Sequence, residues 1–81
     1  MDQKLLERHL TEAREHVATG RRAISRQREL ILDMERDGHE TGEAKRLLVS
    51  FEDLQKLHEA DHDRLLRELD EIQINYQNSP K

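Results

Sequence analysis

Five consecutive residues, His58-Glu59-Ala60-Asp61-His62, match the H-E-x-x-H pattern of zinc hydrolases. Two histidines one helical turn apart can bind a zinc ion while the glutamate activates a water molecule. Such an enzyme also needs a third protein ligand and a substrate cleft, yet only residues 63–81 follow the motif and no strand pattern is present. In a chain this rich in charge the match arises readily by chance. The sequence therefore predicts no enzyme and no catalytic residue.

The same stretch could contribute to a different metal site. In di-metal four-helix bundles a glutamate and a histidine three residues apart supply ligands, and Glu59 and His62 have that spacing. Antiparallel pairing of two helices would bring His16 close to His62. A transition metal bound by His16, His58 and His62, with Glu59, is therefore the alternative function, although we assign no metal or cofactor from the sequence.

A structural interpretation of the histidines is favoured. His58 and His62, together with Gln55, predict a buried or half-buried polar layer between helices. Polar residues in such a seam fix register and oligomeric state at a cost in stability. Because histidine gains charge at mildly acidic pH, we expect this layer to lose stability or to let subunits dissociate there.

Length and composition restrict the class of protein. The chain has 81 residues, 40% of them charged, and no cysteine; we expect a single domain over residues 1–81, without disulfides or thiol chemistry, in the cytoplasm. No apolar run approaches the length of a membrane span, so membrane association is not expected. A net charge of −4 and only two aromatic residues argue against nucleic-acid binding.

Two long segments repeat apolar residues at alternating steps of four and three. The first repeat, from Leu6 to Met34, predicts a helix over about residues 2–37. The second, from Ala44 to Tyr76, predicts a helix over about residues 41–74.

Between these helices a turn is predicted at residues 38–41. Gly38 can adopt the left-handed conformation that ends a helix, and Thr41 can cap the next one. Residues 75–81 include Ser79-Pro80 and are predicted to form a frayed tail.

The fold class predicted is therefore all-α: an antiparallel two-helix hairpin of the coiled-coil type. We expect the reversal to place Gly20 opposite His58 and Ile24 opposite Gln55, so that the glycine leaves room for the imidazole ring.

Charge favours the same antiparallel pairing. Arginines are concentrated in the middle of the first helix and acidic residues in the middle of the second. They are Arg21, Arg22, Arg26 and Arg28, and Glu52, Asp53, Glu59, Asp61 and Asp63. Each exposed pair contributes at most about 1 kcal/mol, so the charges select orientation rather than hold the fold.

A lone hairpin leaves a second row of apolar side chains partly exposed. These are Leu5, Ala23, Leu30, Leu32, Leu47, Leu54, Leu57 and Leu66. We predict that they are covered in a homodimer forming an antiparallel four-helix bundle, with a solvated monomeric hairpin as the alternative.

Several runs also resemble a family of short uncharacterised bacterial helical-hairpin proteins. They are Arg26-Gln27-Arg28, Asp37-Gly38-His39-Glu40-Thr41, Ala44-Lys45-Arg46-Leu47-Leu48, Phe51-Glu52-Asp53-Leu54-Gln55, His58 and Arg64-Leu65. The resemblance covers roughly the middle half of the chain. It implies a small bacterial protein and brings no functional residue with it.

The sequence thus leaves the biochemical role unknown. The favoured function is a non-enzymatic protein–protein interaction or scaffolding module that dimerises through its helical faces and engages an unidentified protein partner.

Overall fold

The computed structural model describes the backbone of residues 2–78 and the side chains of residues 2–75. Helix α1 spans Gln3–Arg36 and helix α2 spans Gly42–Asn78. The two helices pack against each other as an antiparallel hairpin measuring 69 × 15 × 14 Å. The predicted all-α hairpin is confirmed. Helix α2 continues past residue 74, so residues 75–78 are helical rather than part of a tail, and residues 79–81 of the predicted tail lie outside the described residues.

The core lies at the end of the hairpin away from the turn. Leu6, Leu10 and Ala13 of α1 meet Leu65 of α2, all at most 3% exposed. Further apolar residues of α2 pack against this cluster: Leu66, Leu69 and Ile72. Full burial of a leucine side chain stabilises a fold by about 1.5–3 kcal/mol, so this short cluster supplies much of what holds the helices together.

Gly38 ends α1 as predicted. Its φ of +77° lies in the left-handed region. The Gly38 N–H donates to the Glu35 carbonyl at 3.1 Å, and the His39 N–H donates to the Met34 carbonyl at 2.9 Å. This pair of bonds is the Schellman motif, which satisfies carbonyls at the end of a helix. Thr41 directly precedes α2. The hydrogen bond described there is accepted by its backbone carbonyl, from the Lys45 N–H, rather than by the side chain that was predicted to cap the helix.

The predicted register is corrected at the Gln55 layer, whereas other predicted pairs, such as Ile31 with Leu48 and Ala13 with Leu65, line common grooves. Gln55 lies against Gly20 and its amide reaches Val17, whereas the prediction placed Gln55 opposite Ile24. The space left by Gly20 is therefore occupied by the Gln55 amide rather than by the His58 ring. Opposite Ile24 this amide would face an apolar side chain, whereas here its Nε2 atom has a hydrogen-bond partner in the Val17 carbonyl, as buried polar groups usually do.

Two ion pairs connect the helices near the turn. Arg28 lies 3.1 Å from Glu52, which confirms one of the predicted arginine–acid contacts, and Lys45 lies 3.7 Å from Glu35. All four side chains are at least one third exposed, so each pair adds at most about 1 kcal/mol.

Over the described residues, neither helix has a stretch long and apolar enough to cross a membrane.

Candidate functional site

The histidines of the sequence motif are divided between the two sides of the hairpin. On one side, the rings of His16 and His58 meet across the helices, with centroids 5.2 Å apart and planes inclined by 47°. On the other side, His62 and Glu59 line a separate groove. The Nδ1 atom of His62 lies 3.1 Å from a carboxylate oxygen of its neighbour Asp63.

This division corrects the proposed ligand set of the alternative function. His16 and His58 come together, but His62 and Glu59 do not join them. Within residues 2–75, no group of three or more histidine, aspartate or glutamate side chains is arranged to hold a metal ion. The two histidines of the H-E-x-x-H match line different grooves, which is not the arrangement a zinc hydrolase requires.

A polar layer crosses the middle of the hairpin, as predicted. Gln55 is 5% exposed, and His58 and His62 are half-buried. The Gln55 Nε2 atom donates to the Val17 carbonyl at 2.9 Å. Its Oε1 atom is buried without a hydrogen-bond partner and lies against Gly20. The loss of stability at mildly acidic pH stays a prediction.

Gln27 forms a second buried amide contact, which was not predicted from the sequence. Its Nε2 atom donates to the Ala44 carbonyl in the first turn of α2 at 2.9 Å. The sequence does place a glutamine at this seam position, and a buried amide there needs a hydrogen-bond partner on the facing helix. Two amides thus link the helices, one near the turn and one near the middle.

An open apolar groove lies beside the polar layer. Its volume is about 210 Å³. It is lined by His16, Thr19, Gly20, Ala23, Phe51, Leu54, Gln55 and His58. One heptad closer to the turn on each helix, Leu30 and Leu47 extend the same flank. We call this groove, with Leu30 and Leu47, the apolar flank.

The leucines of the apolar flank are in contact with solvent. Leu30, Leu47 and Leu54 are 48%, 46% and 50% exposed, whereas Ala23 and Phe51 are half-buried. Among the other residues predicted to remain partly exposed, Leu5, Leu32 and Leu57 are exposed and Leu66 is half-buried. Val49 and Ile74 are also exposed, and neither was among the predicted residues.

The opposite side, which we call the charged flank, carries ionic residues at the corresponding heptad positions. Arg14, Arg21, Arg28 and Glu35 follow one another at intervals of seven on α1, and Lys45, Glu52 and Glu59 do so on α2. Both described interhelical ion pairs join residues of this flank. The two sides of the hairpin therefore differ in chemistry.

Beyond the polar layer, the side that holds the apolar flank becomes ionic. Arg64 donates to Asp61 at 2.7 Å and to Glu68 at 2.9 Å. These hydrogen bonds, first that with Asp61 and then that with Glu68, raise the pKa of Arg64 above its usual value. An arginine is charged at any physiological pH, so this end of the side is a solvated ionic cluster.

Comparisons with models of protein families, with curated proteins and with solved structures found no match to this chain.

Proposed function

We propose that this protein is a non-enzymatic protein–protein interaction or scaffolding module that acts as a homodimer, an antiparallel four-helix bundle. The observation that carries the proposal is the apolar flank, where Leu30, Leu47 and Leu54 remain about half exposed beside Phe51. A contiguous apolar surface bordered by polar residues is typical of an interaction site.

The surface area of the hairpin supports association. Its accessible surface is 6524 Å², whereas a compact monomer of 9.6 kDa is expected to expose about 5,100 Å². The excess of about 1,400 Å² exceeds the roughly 800 Å² that each partner buries in a standard interface. A second copy can therefore cover a full interface while leaving the chain with an ordinary amount of exposed surface.

Sedimentation equilibrium from low to high micromolar concentration tests the proposal. We expect the fitted mass to approach that of two chains as concentration rises. A single-chain mass at high micromolar concentration would show that the exposed leucines do not drive self-association.

The contact between His16 and His58 supports a second candidate function, the binding of a transition metal by these two residues. Two imidazoles on one tetrahedral ion have ring centroids about 5 Å apart, given metal–nitrogen distances of about 2.0–2.1 Å, and the observed separation is 5.2 Å. His62 and Glu59 are not part of this candidate. The remaining ligands would come from water or from a second copy.

Metal analysis of protein purified without an affinity tag tests the second candidate. A stoichiometric metal that is lost in His16→Gln and His58→Gln, but kept in the matched variant His62→Gln, is the expected result. Metal-free protein that also fails to bind added Zn²⁺ or Co²⁺ would rule this candidate out.

A further inference from the structure

The two flanks of the hairpin differ in the groups that would lose contact with water if a second copy covered them. On the charged flank, Ile31, Leu32 and Leu48 form a small apolar patch, but Arg28 and Lys45 border it. Both of these cations are engaged in interhelical ion pairs. Covering the patch would remove charged groups from water, which costs more than exposed pairs return. The heptad positions of the apolar flank carry only His16, Ala23 and Leu30 from residue 16 to the end of α1, and only Leu47 and Leu54 from the start of α2 to residue 54.

Along its length, this side is apolar near the turn and ionic away from it. Leu30 and Leu47 lie nearest the turn, followed by Ala23 and Leu54. Beyond His16 and His58, the heptad positions of α2 change to Asp61 and Glu68, which Arg64 bridges. The apolar area therefore occupies one half of the hairpin.

This asymmetry selects between the two arrangements open to a symmetric dimer. If the two-fold axis runs across the middle of the helices, so that the copies overlap along their whole length, the turns lie at opposite ends, and the leucines of one copy face the Asp61–Arg64–Glu68 cluster of the other. If the axis runs along the helices, the turns lie at the same end and each apolar half meets its equivalent. All neighbouring helices are antiparallel in both cases, so helix direction does not decide between them and the asymmetry of the flank does.

We infer that the apolar flank receives a second copy of this chain, with both turns at the same end of the bundle. The inference rests on the proposed dimer and adds its face and its orientation. The leucines next to the turn then form the centre of the interface, and the ionic cluster remains at the other end, in water.

Distances between spin labels test the orientation, and the absence of cysteine from the chain allows single labels. In His39→Cys the label sits in the turn, and in Gln3→Cys it sits at the start of α1. Both variants should give intermolecular distances below about 25 Å, since neighbouring helix axes in a bundle are about 8–10 Å apart. With the turns at opposite ends, both distances would exceed about 40 Å, because a helix of this length spans about 50 Å. That result would overturn the orientation while leaving the dimer intact.

Matched substitutions of exposed leucines test the face. Leu54→Glu places a charge on the apolar flank, and Leu32→Glu makes the same change on the charged flank. We expect Leu54→Glu to raise the dimer Kd at least about 30-fold, as the loss of an interface hot spot does, and Leu32→Glu to change it less than about threefold. Circular dichroism checks that both variants keep their helix content.

Each remaining outcome decides against part of the inference. A dimer lost only in Leu32→Glu would overturn the choice of face. Unmodified protein that stays monomeric in sedimentation would overturn the proposed dimer and this inference together.

Discussion

Gly20 and Gln55 form a closely fitted contact between the two helices. A Cβ atom added at Gly20 would overlap Oε1 of Gln55, whose amide also donates to the Val17 carbonyl. The sequence shows a glycine at a seam position and predicts that the His58 ring fills its space, whereas the Gln55 amide does. Both side chains lie beside Gly20, and the reach of the Gln55 amide to the Val17 carbonyl decides which of them fills the space.

We predict that Gly20→Ala destabilises the protein, although alanine is the better helix former by about 1 kcal/mol. The new methyl group displaces the Gln55 amide and leaves it buried without its hydrogen bond, a loss of about 1–3 kcal/mol. Urea denaturation at fixed protein concentration measures the change. In a Gln55→Ala background the clash is absent, so Gly20→Ala should stabilise instead. Equal effects in the two backgrounds would show that the residues do not interact.

Gln55→Leu should stabilise the protein by about 1 kcal/mol. The substitution removes the buried Oε1 atom that lacks a partner, and leaving such an atom unpaired costs about 1–3 kcal/mol. The lost bond from Nε2 offsets part of this gain, since a hydrogen bond contributes about 0.5–1.5 kcal/mol. The same denaturation measurement applies. A variant less stable than the wild type would mean that Gln55 contributes more to holding the register than its unpaired oxygen costs.

At the scale of the elements, the turn follows from the local sequence. Only Gly38 has a positive φ among the described residues, and glycine adopts that conformation without steric cost. The two long helices can also be predicted locally, because the apolar seam at steps of four and three is visible in the sequence itself. The end of α2 cannot be predicted from the sequence in this way, since the helix continues to Asn78 after the apolar pattern weakens.

Gly38→Ala should lower stability by about 1–2 kcal/mol, the cost of the left-handed conformation for a residue with a Cβ atom. Gly42→Ala is a matched control in the same connection. Gly42 begins α2, and an added Cβ would meet only the Arg46 guanidinium at 3.6 Å, an ordinary contact. Thermal unfolding should therefore show a lower Tm for the first variant and an equal or higher Tm for the second. An unchanged Tm in Gly38→Ala would contradict the role given to the turn.

For the molecule as a whole, the sequence predicts a second row of apolar residues but not the side on which they gather. That side depends on the hand of the hairpin, which decides whether Leu30 of α1 shares a flank with Leu47 or with Lys45 of α2. The structure places Lys45 beside Glu35. The leucines are thereby collected on one side and the charges on the other, a separation that heptad positions alone do not determine.

If the hairpin folds as part of a dimer, its Tm should rise with protein concentration, because association stabilises the folded state by mass action. We expect this rise in the wild type and in Leu32→Glu, whereas Leu54→Glu should unfold at a lower temperature that does not change with concentration. A Tm that is independent of concentration in the wild type would indicate a hairpin that is stable alone.

The most direct test of the account is the native mass of the wild type and of Leu54→Glu, measured by light scattering during size-exclusion chromatography. We predict about 19 kDa for the wild type, twice the 9.6 kDa of one chain, and the mass of one chain for the variant. A wild type that elutes with the mass of one chain, or a variant that keeps the mass of two, would contradict the claim that the apolar flank is covered by a second copy.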